Sequence, residues 1–216
     1  PSTQITPHNC VAAPFLADDV SVRSRRIHTA LPLSPPPLPR GDVELVLDEQ
    51  HLQRVVLDGI AKAVTSIDIC TADFKTMLVP TPGGKQTQSI VTILSRVAQR
   101  GTEIRLLHSG VPTGPVVREL KRSIPAGLTI RRCPRLHAKV VILDSASMYL
   151  GSANLTGAGL GAKSPDRRNF EIGVWTHTAG LIDPVLDWYN ALWEGRRCTT
   201  CRRKDICPEP LEEPRL

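Results

Sequence analysis

Aromatic residues make up only 4% of this 216-residue chain. That is too few for an extended platform on which bases could stack, so any nucleic acid it binds is expected to be held by its backbone, with low base specificity. No apolar run approaches the roughly 20 residues needed to span a bilayer, and the N-terminus lacks an apolar core of the secretory type. The chain therefore reads as cytoplasmic, without a membrane partner. No acidic cluster suited to Mg²⁺ is evident, which argues for chemistry without a catalytic metal. The pattern His-x-Lys also has no second copy, because His8, His28, His51, His108 and His177 all lack a lysine two positions on.

The length suits one domain with a substantial core, plus extensions. A net charge of +6 is unevenly spread. Arg118, Lys121, Arg122, Arg131, Arg132, Arg135 and Lys139 share a window with one acid, Glu119. Such a field suits a polyanionic substrate, although a solvated basic surface would have the same composition.

Residues 1–41 hold the run Leu33-Ser34-Pro35-Pro36-Pro37-Leu38-Pro39 and read as a Pro-rich N-terminal extension in extended conformation. Residues 42–195 carry alternating helix and strand signals. Leu52, Val55, Val56, Ile60 and Ala63 recur at helical spacing, and residues 66–70 alternate as a strand. A helix through Ile90, Ile93, Leu94 and Val97 ends before Gly101, and strands follow over residues 103–107 and 128–132, with a short helix between them at 115–123. Residues 137–144 and the segment through Leu150 read as a hairpin, and 170–175 as a further strand. A last helix is expected to be capped by Asp183, with Pro184 in its first turn and Gly195 after it. Strands alternating with helices predict an α/β class fold, a layered sandwich.

The chemistry concentrates around His137-Ala138-Lys139. On a strand, His137 and Lys139 share one face, while Ala138, Val140 and Ile142 share the other. Asp144 and Gly151-Ser152-Ala153-Asn154 follow. The spacing H-x-K-x4-D-x6-G-S-x-N, filled by His137, Lys139, Asp144, Gly151, Ser152 and Asn154, resembles the signature of the phospholipase D superfamily. The likeness extends in organisation over residues 43–195 and in motif over 137–171. It implies a mixed β-sheet flanked by helices with one motif per chain, and a histidine that forms a covalent phosphohistidine while a second histidine protonates the leaving oxygen. With a single motif, His137 would fill both roles in different subunits, so a homodimer is expected.

Lys139 and Asn154 are expected to hold the non-bridging phosphate oxygens through charge and amide donors. Ser152 would add a hydroxyl or, with Gly151, a backbone amide; plain turn chemistry is the alternative for both. Glu171 is expected to accept a motif imidazole N–H, the alternative being an ion pair with Arg167 or Arg168. Asp144 completes the catalytic set of the motif, yet its offset from His137 places it on the opposite strand face and argues for support of the turn over proton transfer. Arg132 and Arg135 are candidates for binding the substrate backbone.

Beyond residue 195, Cys198, Cys201 and Cys207 form C-x2-C-x5-C in a tail, residues 196–216, with little core to join. A metal would order it. Cys10 is the first candidate for a fourth ligand, then Cys133, then Cys70, which reads as a buried strand thiol. The pattern resembles the four-cysteine cluster of the AddB family of nucleases, which implies a structural 4Fe–4S cluster; zinc is the alternative, and unliganded or disulfide-linked thiols the third reading.

Together these features point to a metal-independent nuclease that favours DNA over RNA. In general organisation, including Leu107-His108-Ser109-Gly110-Val111-Pro112, the chain also resembles the phospholipase-D-like component of bacterial 7-deazaguanine DNA-modification systems, which would imply DNA restriction beside helicase or ATPase partners. The rivals are a phospholipase or phosphatidyl transferase, and a nucleic-acid-binding subunit that does not cleave.

Overall fold

A computed structural model describes residues 43–213, apart from 82, 85, 111–113 and 123–125. The expected extension over residues 1–41, Cys10, and Val111 and Pro112 of the His108 segment lie outside the described residues.

Runs of β-branched and apolar residues build one mixed sheet of seven strands. These are β1 (Val43–Leu47), β2 (Ser66–Thr71), β5 (Glu103–His108), β6 (Leu128–Arg132), β7 (Val140–Leu143), β8 (Ser147–Gly151) and β9 (Ile172–Thr176), in the order β1-β9-β8-β7-β2-β5-β6. The short strands β3 (Leu78–Pro80) and β4 (Thr87–Ser89) pair separately. β2, β5 and β6 run parallel, as helical crossovers require, and the remaining pairs are antiparallel.

Side chains of period two separate two cores. Ile67, Ile69, Ile104, Leu106, Val141, Leu143, Tyr149 and Trp175 share one core cluster with buried residues of α1 (Ile90–Gln99) and α2 (Gly114–Arg122). Cys70, Leu107, Val140, Ile142 and Met148 face Ile182, Tyr189 and Trp193 of α3 (Ala179–Trp193). The result is the expected layered α/β sandwich, a large mixed sheet flanked by helices.

Three differences from the sequence reading reshape the core or the motif; in addition, the strand expected over residues 170–175 begins at Ile172, which leaves Glu171 just before it. The first helix is broken into a π-helical turn, Leu52–Leu57, closed by a bond from the Asp58 amide to the Gln53 carbonyl, and a 3₁₀ turn, Ile60–Lys62. Between them Gly59 passes so close to the Val55 carbonyl, Leu143 and Trp175 that a β-carbon would not fit. The last helix begins at Ala179 behind Thr178, which leaves Asp183 and Pro184 inside it. Helical spacing of buried Ile182, Tyr189 and Trp193 outweighs the backbone bond that Pro184 cannot donate. Finally, β7 begins at Val140, so His137 and Lys139 precede the strand. A turn closed by the Leu136 amide on the Cys133 carbonyl intervenes, and one ladder-like bond joins the Gly151 amide to the Lys139 carbonyl.

Candidate active site

His137 is exposed, whereas Lys139 is only 9% exposed. The Lys139 ammonium donates to the His137 carbonyl at 2.9 Å and stands 3.2 Å from Nε2 and 3.3 Å from Nδ1 of the ring. The pair thus stays together although no strand pairing aligns it.

Asn154 is oriented by a loop that the sequence reading did not find. Its Oδ1 accepts the backbone amides of Ala72 and Asp73, each at 3.1 Å. Two amide donors on one atom identify it as the oxygen, which leaves the NH₂ as the donor end. The loop is stitched down by the Thr71 hydroxyl, which donates to the Asp73 carbonyl at 2.6 Å and accepts the Leu155 amide at 2.9 Å. Gly110 adds a bond to the Ala72 carbonyl, and the buried His108 imidazole donates to the Gly110 carbonyl at 2.6 Å. Burial pushes His108 below its ordinary pKa, so it serves here as a neutral brace. No local signal marks these partners, because they lie about 80 residues from Asn154.

Ser152 and Glu171 form a second cluster. The Ser152 hydroxyl donates to the Glu171 carboxylate and accepts the Ile172 amide at 3.1 Å. Asn169 donates to the other carboxylate oxygen at 3.0 Å, and the Glu171 amide donates to the Asp48 side chain at 2.9 Å. The carboxylate of Glu171 is thus held by Ser152 and Asn169. Its alternative ion partners are engaged elsewhere, Arg167 with Asp166 and Arg168 with Glu49. Gly151 has a packing role: it pairs with Gly173, and a β-carbon on either would overlap the Tyr149 ring. The Tyr149 hydroxyl, pushed up to about 12 by burial, accepts the Ala153 amide at 3.2 Å.

Asp144 is the motif residue that the structure removes from the site. β7 separates it from His137, and its carboxylate accepts the amides of Val64, Thr65 and Ser66 at 2.7–3.2 Å together with the Thr65 hydroxyl. Partial burial pushes its carboxyl up, but these donors outweigh that and hold it below the ordinary carboxylate range. Its φ of +54°, in the left-handed region that Asp tolerates, lets the turn into β8 aim the carboxylate at the start of β2.

Arg132 and Arg135 lie beside His137, but in contact with the cysteine-rich tail. Arg132 donates to the Ser109 carbonyl at 3.2 Å, its amide bonds the Glu212 carbonyl at 3.0 Å, and Arg135 donates to the Cys201 sulfur at 3.4 Å. The tail folds back against the edge strand β6 and walls a cavity of about 360 Å³ whose lining includes His137. Arg132, Arg135, Arg197, Arg203 and Lys204 line it, together with Cys133, Cys198, Cys201 and Cys207. The sequence had set the tail apart from the motif; in space they share a wall. Burial and then the neighbouring charges of Cys133, Cys207 and Cys201 push the Cys198 thiol up, while bonds from Arg203 and Arg135 hold Cys201 down. Among the described residues, no group of three or more His, Cys, Asp or Glu side chains is drawn together tightly enough to hold a metal ion as it stands.

Residues 56–193 match the family model described as "Cardiolipin synthase, PLD-like domain". Among solved structures, NucT from Helicobacter pylori superposes with a TM-score of 0.53 at 18% identity over 70% of this chain and 95% of that one. The phospholipase D family member Nuc from Salmonella typhimurium superposes with a TM-score of 0.55 at 18% identity over 81% of this chain and 98% of that one. At these identities the likeness is one of fold. No curated protein matches the sequence.

Proposed function

The chain belongs to the PLD-like domain family, and from that premise we propose that it is a metal-independent phosphodiesterase that cleaves nucleic acid, DNA in the first place, through a covalent phosphohistidine. The observation that carries this reading is the placement of the Lys139 ammonium 3.2 Å from the His137 imidazole. A neutral imidazole attacks phosphorus, the bond to the leaving oxygen breaks, and that oxygen takes a proton from the imidazolium of the second histidine. Water then attacks the phosphorus, the phosphorus–nitrogen bond breaks to release the first imidazole, and the proton of the water passes to the second histidine, now neutral. Lys139 and the Asn154 NH₂ are suited to the charge that builds on the non-bridging oxygens. Glu171, fixed by Ser152 and Asn169, is offered as the carboxylate that orients a motif imidazole, and within one subunit Ser152 acts as its support.

With one motif in the chain, the second histidine is assigned to His137 of the partner subunit. An open apolar face supports a homodimer. Leu45, Leu47, Leu150 and Ile172 lie on one side of β1, β9 and β8 and are 41–58% exposed. This patch adjoins Glu171, a residue of the proposed site, and would be covered by a second copy seated on it.

Five cationic side chains around the cavity beside His137 favour a polyanion. The family name points to a lipid reaction, but no helix among the described residues is long and apolar enough to cross a membrane. The resemblance around Leu107–Gly110 suggests DNA restriction with helicase or ATPase partners as the setting. Labelled single- and double-stranded DNA and RNA, incubated in EDTA with the chain and with His137→Ala, test the reading. Cleavage by the parent and none by the variant is expected. Salt-dependent binding without cleavage by either would establish the non-cleaving reading, and turnover of phosphatidyl lipids alone would establish the lipid one.

A further inference from the structure

The C-terminal tail has little to hold it. Ile206 is 37% exposed, and among the described tail residues Leu211 is the one hydrophobic side chain packed against a core cluster. Among the described residues its backbone is tied by single turns, Cys198 to Gly195, Cys201 to Cys198, and Ile206 and Cys207 to Arg203, and by one bond from the Arg132 amide to the Glu212 carbonyl. Ion pairs of Arg131 with Glu213 at 3.7 Å and Arg132 with Glu212 at 4.0 Å are long and exposed, and such pairs contribute little. These contacts do not account for a tail laid in one place beside β6.

The cavity wall supplies what is missing. Cys133, in the turn between β6 and β7, and Cys198, Cys201 and Cys207 of the tail line the same space. Five cations share the wall, and no acid stands among its described residues. Apart from Arg132, whose pairing with Glu212 is long and exposed, those cations have no acid beside them in the wall and repel one another. Four thiolates on a divalent metal centre carry a net charge of about −2, which those cations would offset, and the Arg135 guanidinium already donates to the Cys201 sulfur at 3.4 Å.

We infer that Cys133, Cys198, Cys201 and Cys207 form a four-thiolate site for a thiophilic metal centre, zinc or a 4Fe–4S cluster, that clasps the tail to the turn preceding His137. Each thiol releases its proton to solvent as its bond to the metal forms, and no oxidant or reductant is consumed. The sulfurs, spread around the cavity, close inward by side-chain rotation when the metal arrives, since metal binding and local folding are coupled. Cys133 displaces Cys10 as the fourth ligand because it already stands in the wall. Cys70 is excluded because it is 1% exposed within the apolar cluster under α3. The inference stands whether or not the chain proves to be a nuclease.

The test is metal and sulfide analysis of the full chain purified without oxygen, with absorption spectra. Expected is one zinc per chain, or iron with matching sulfide and a visible band near roughly 400 nm; the two results separate the two centres. Cys133→Ser and Cys201→Ser should each lower the bound metal at least several-fold, while Cys10→Ser and Cys70→Ser keep it. Full loading in Cys133→Ser, loss in Cys10→Ser, or failure to bind either centre on reconstitution would overturn the inference. Should Cys133→Ser fail to fold, alkylation of the parent chain decides. Cys133, Cys198, Cys201 and Cys207 should react only after metal removal, and labelling of Cys133 in the loaded protein would sink the assignment.

Discussion

The side-chain oxygen of Asn154 accepts the Asp73 amide across 3.1 Å, and this bond, with its twin from Ala72, decides which end of the Asn154 side chain can meet a phosphate. Asn154→Asp keeps an oxygen for both amides but replaces the NH₂ with a second oxygen that repels the substrate. Turnover should fall by about 10²–10³-fold, the effect of losing one donor to a developing anion, with little change in melting temperature. Wild-type turnover in Asn154→Asp would remove Asn154 from the site.

Mixing tests the shared active site. If both catalytic histidines come from different subunits, a dimer of one wild-type and one His137→Ala chain is inactive. Equal amounts of the two chains, exchanged to equilibrium, should retain about a quarter of the activity of the same total wild-type chain, where independent sites would retain about half. Ile172→Lys, in the open apolar face, should halve the mass in solution and abolish cleavage together; an unchanged mass would place the interface elsewhere.

Asp144 links acid stability to the β2 terminus. Its folded carboxyl is held below its ordinary value, so its contribution is fully present above the unfolded pKa, about 4, and is lost as pH falls through the lowered folded value. Asp144→Ala should therefore cost about 0.5–1.5 kcal/mol at neutral pH by removing the acceptor of three amides that are exposed or partly buried, and the gap between the two chains should shrink in acid. Denaturant titrations across pH measure it. A gap that widened in acid would contradict the assigned direction.

Gly151 and Gly173 make room for the Tyr149 ring. Gly173→Ala should destabilise the chain by about 1–3 kcal/mol, typical of overpacking, and Tyr149→Leu in the same chain should recover part of the loss. Thermal melts of the single and double variants would show the coupling. Equal losses with and without Tyr149 would mean the glycines serve another purpose.

The hydrophobic periods of two and of about three and a half residues were enough to place most strands and to indicate a layered α/β sandwich, because burial on a sheet or helix face leaves its mark locally. They misjudged the start of α3 and the continuity of the first helix. There tertiary burial of Ile182, and the close passage of Gly59 beneath Leu143, overrode the cap and propensity signals.

By itself the sequence set His137, Lys139, Ser152 and Asn154 at spacings that resemble the phospholipase D signature, and marked Asp144 as the aspartate of that pattern. Only the tertiary structure decided what orients them: the 71–73 loop on Asn154, Ser152 and Asn169 on Glu171, and a tail that returns to the wall beside His137. The reason is physical. Hydrogen bonds that fix a functional side chain need only proximity in space, and chain segments 80 residues apart leave no periodic trace of having met.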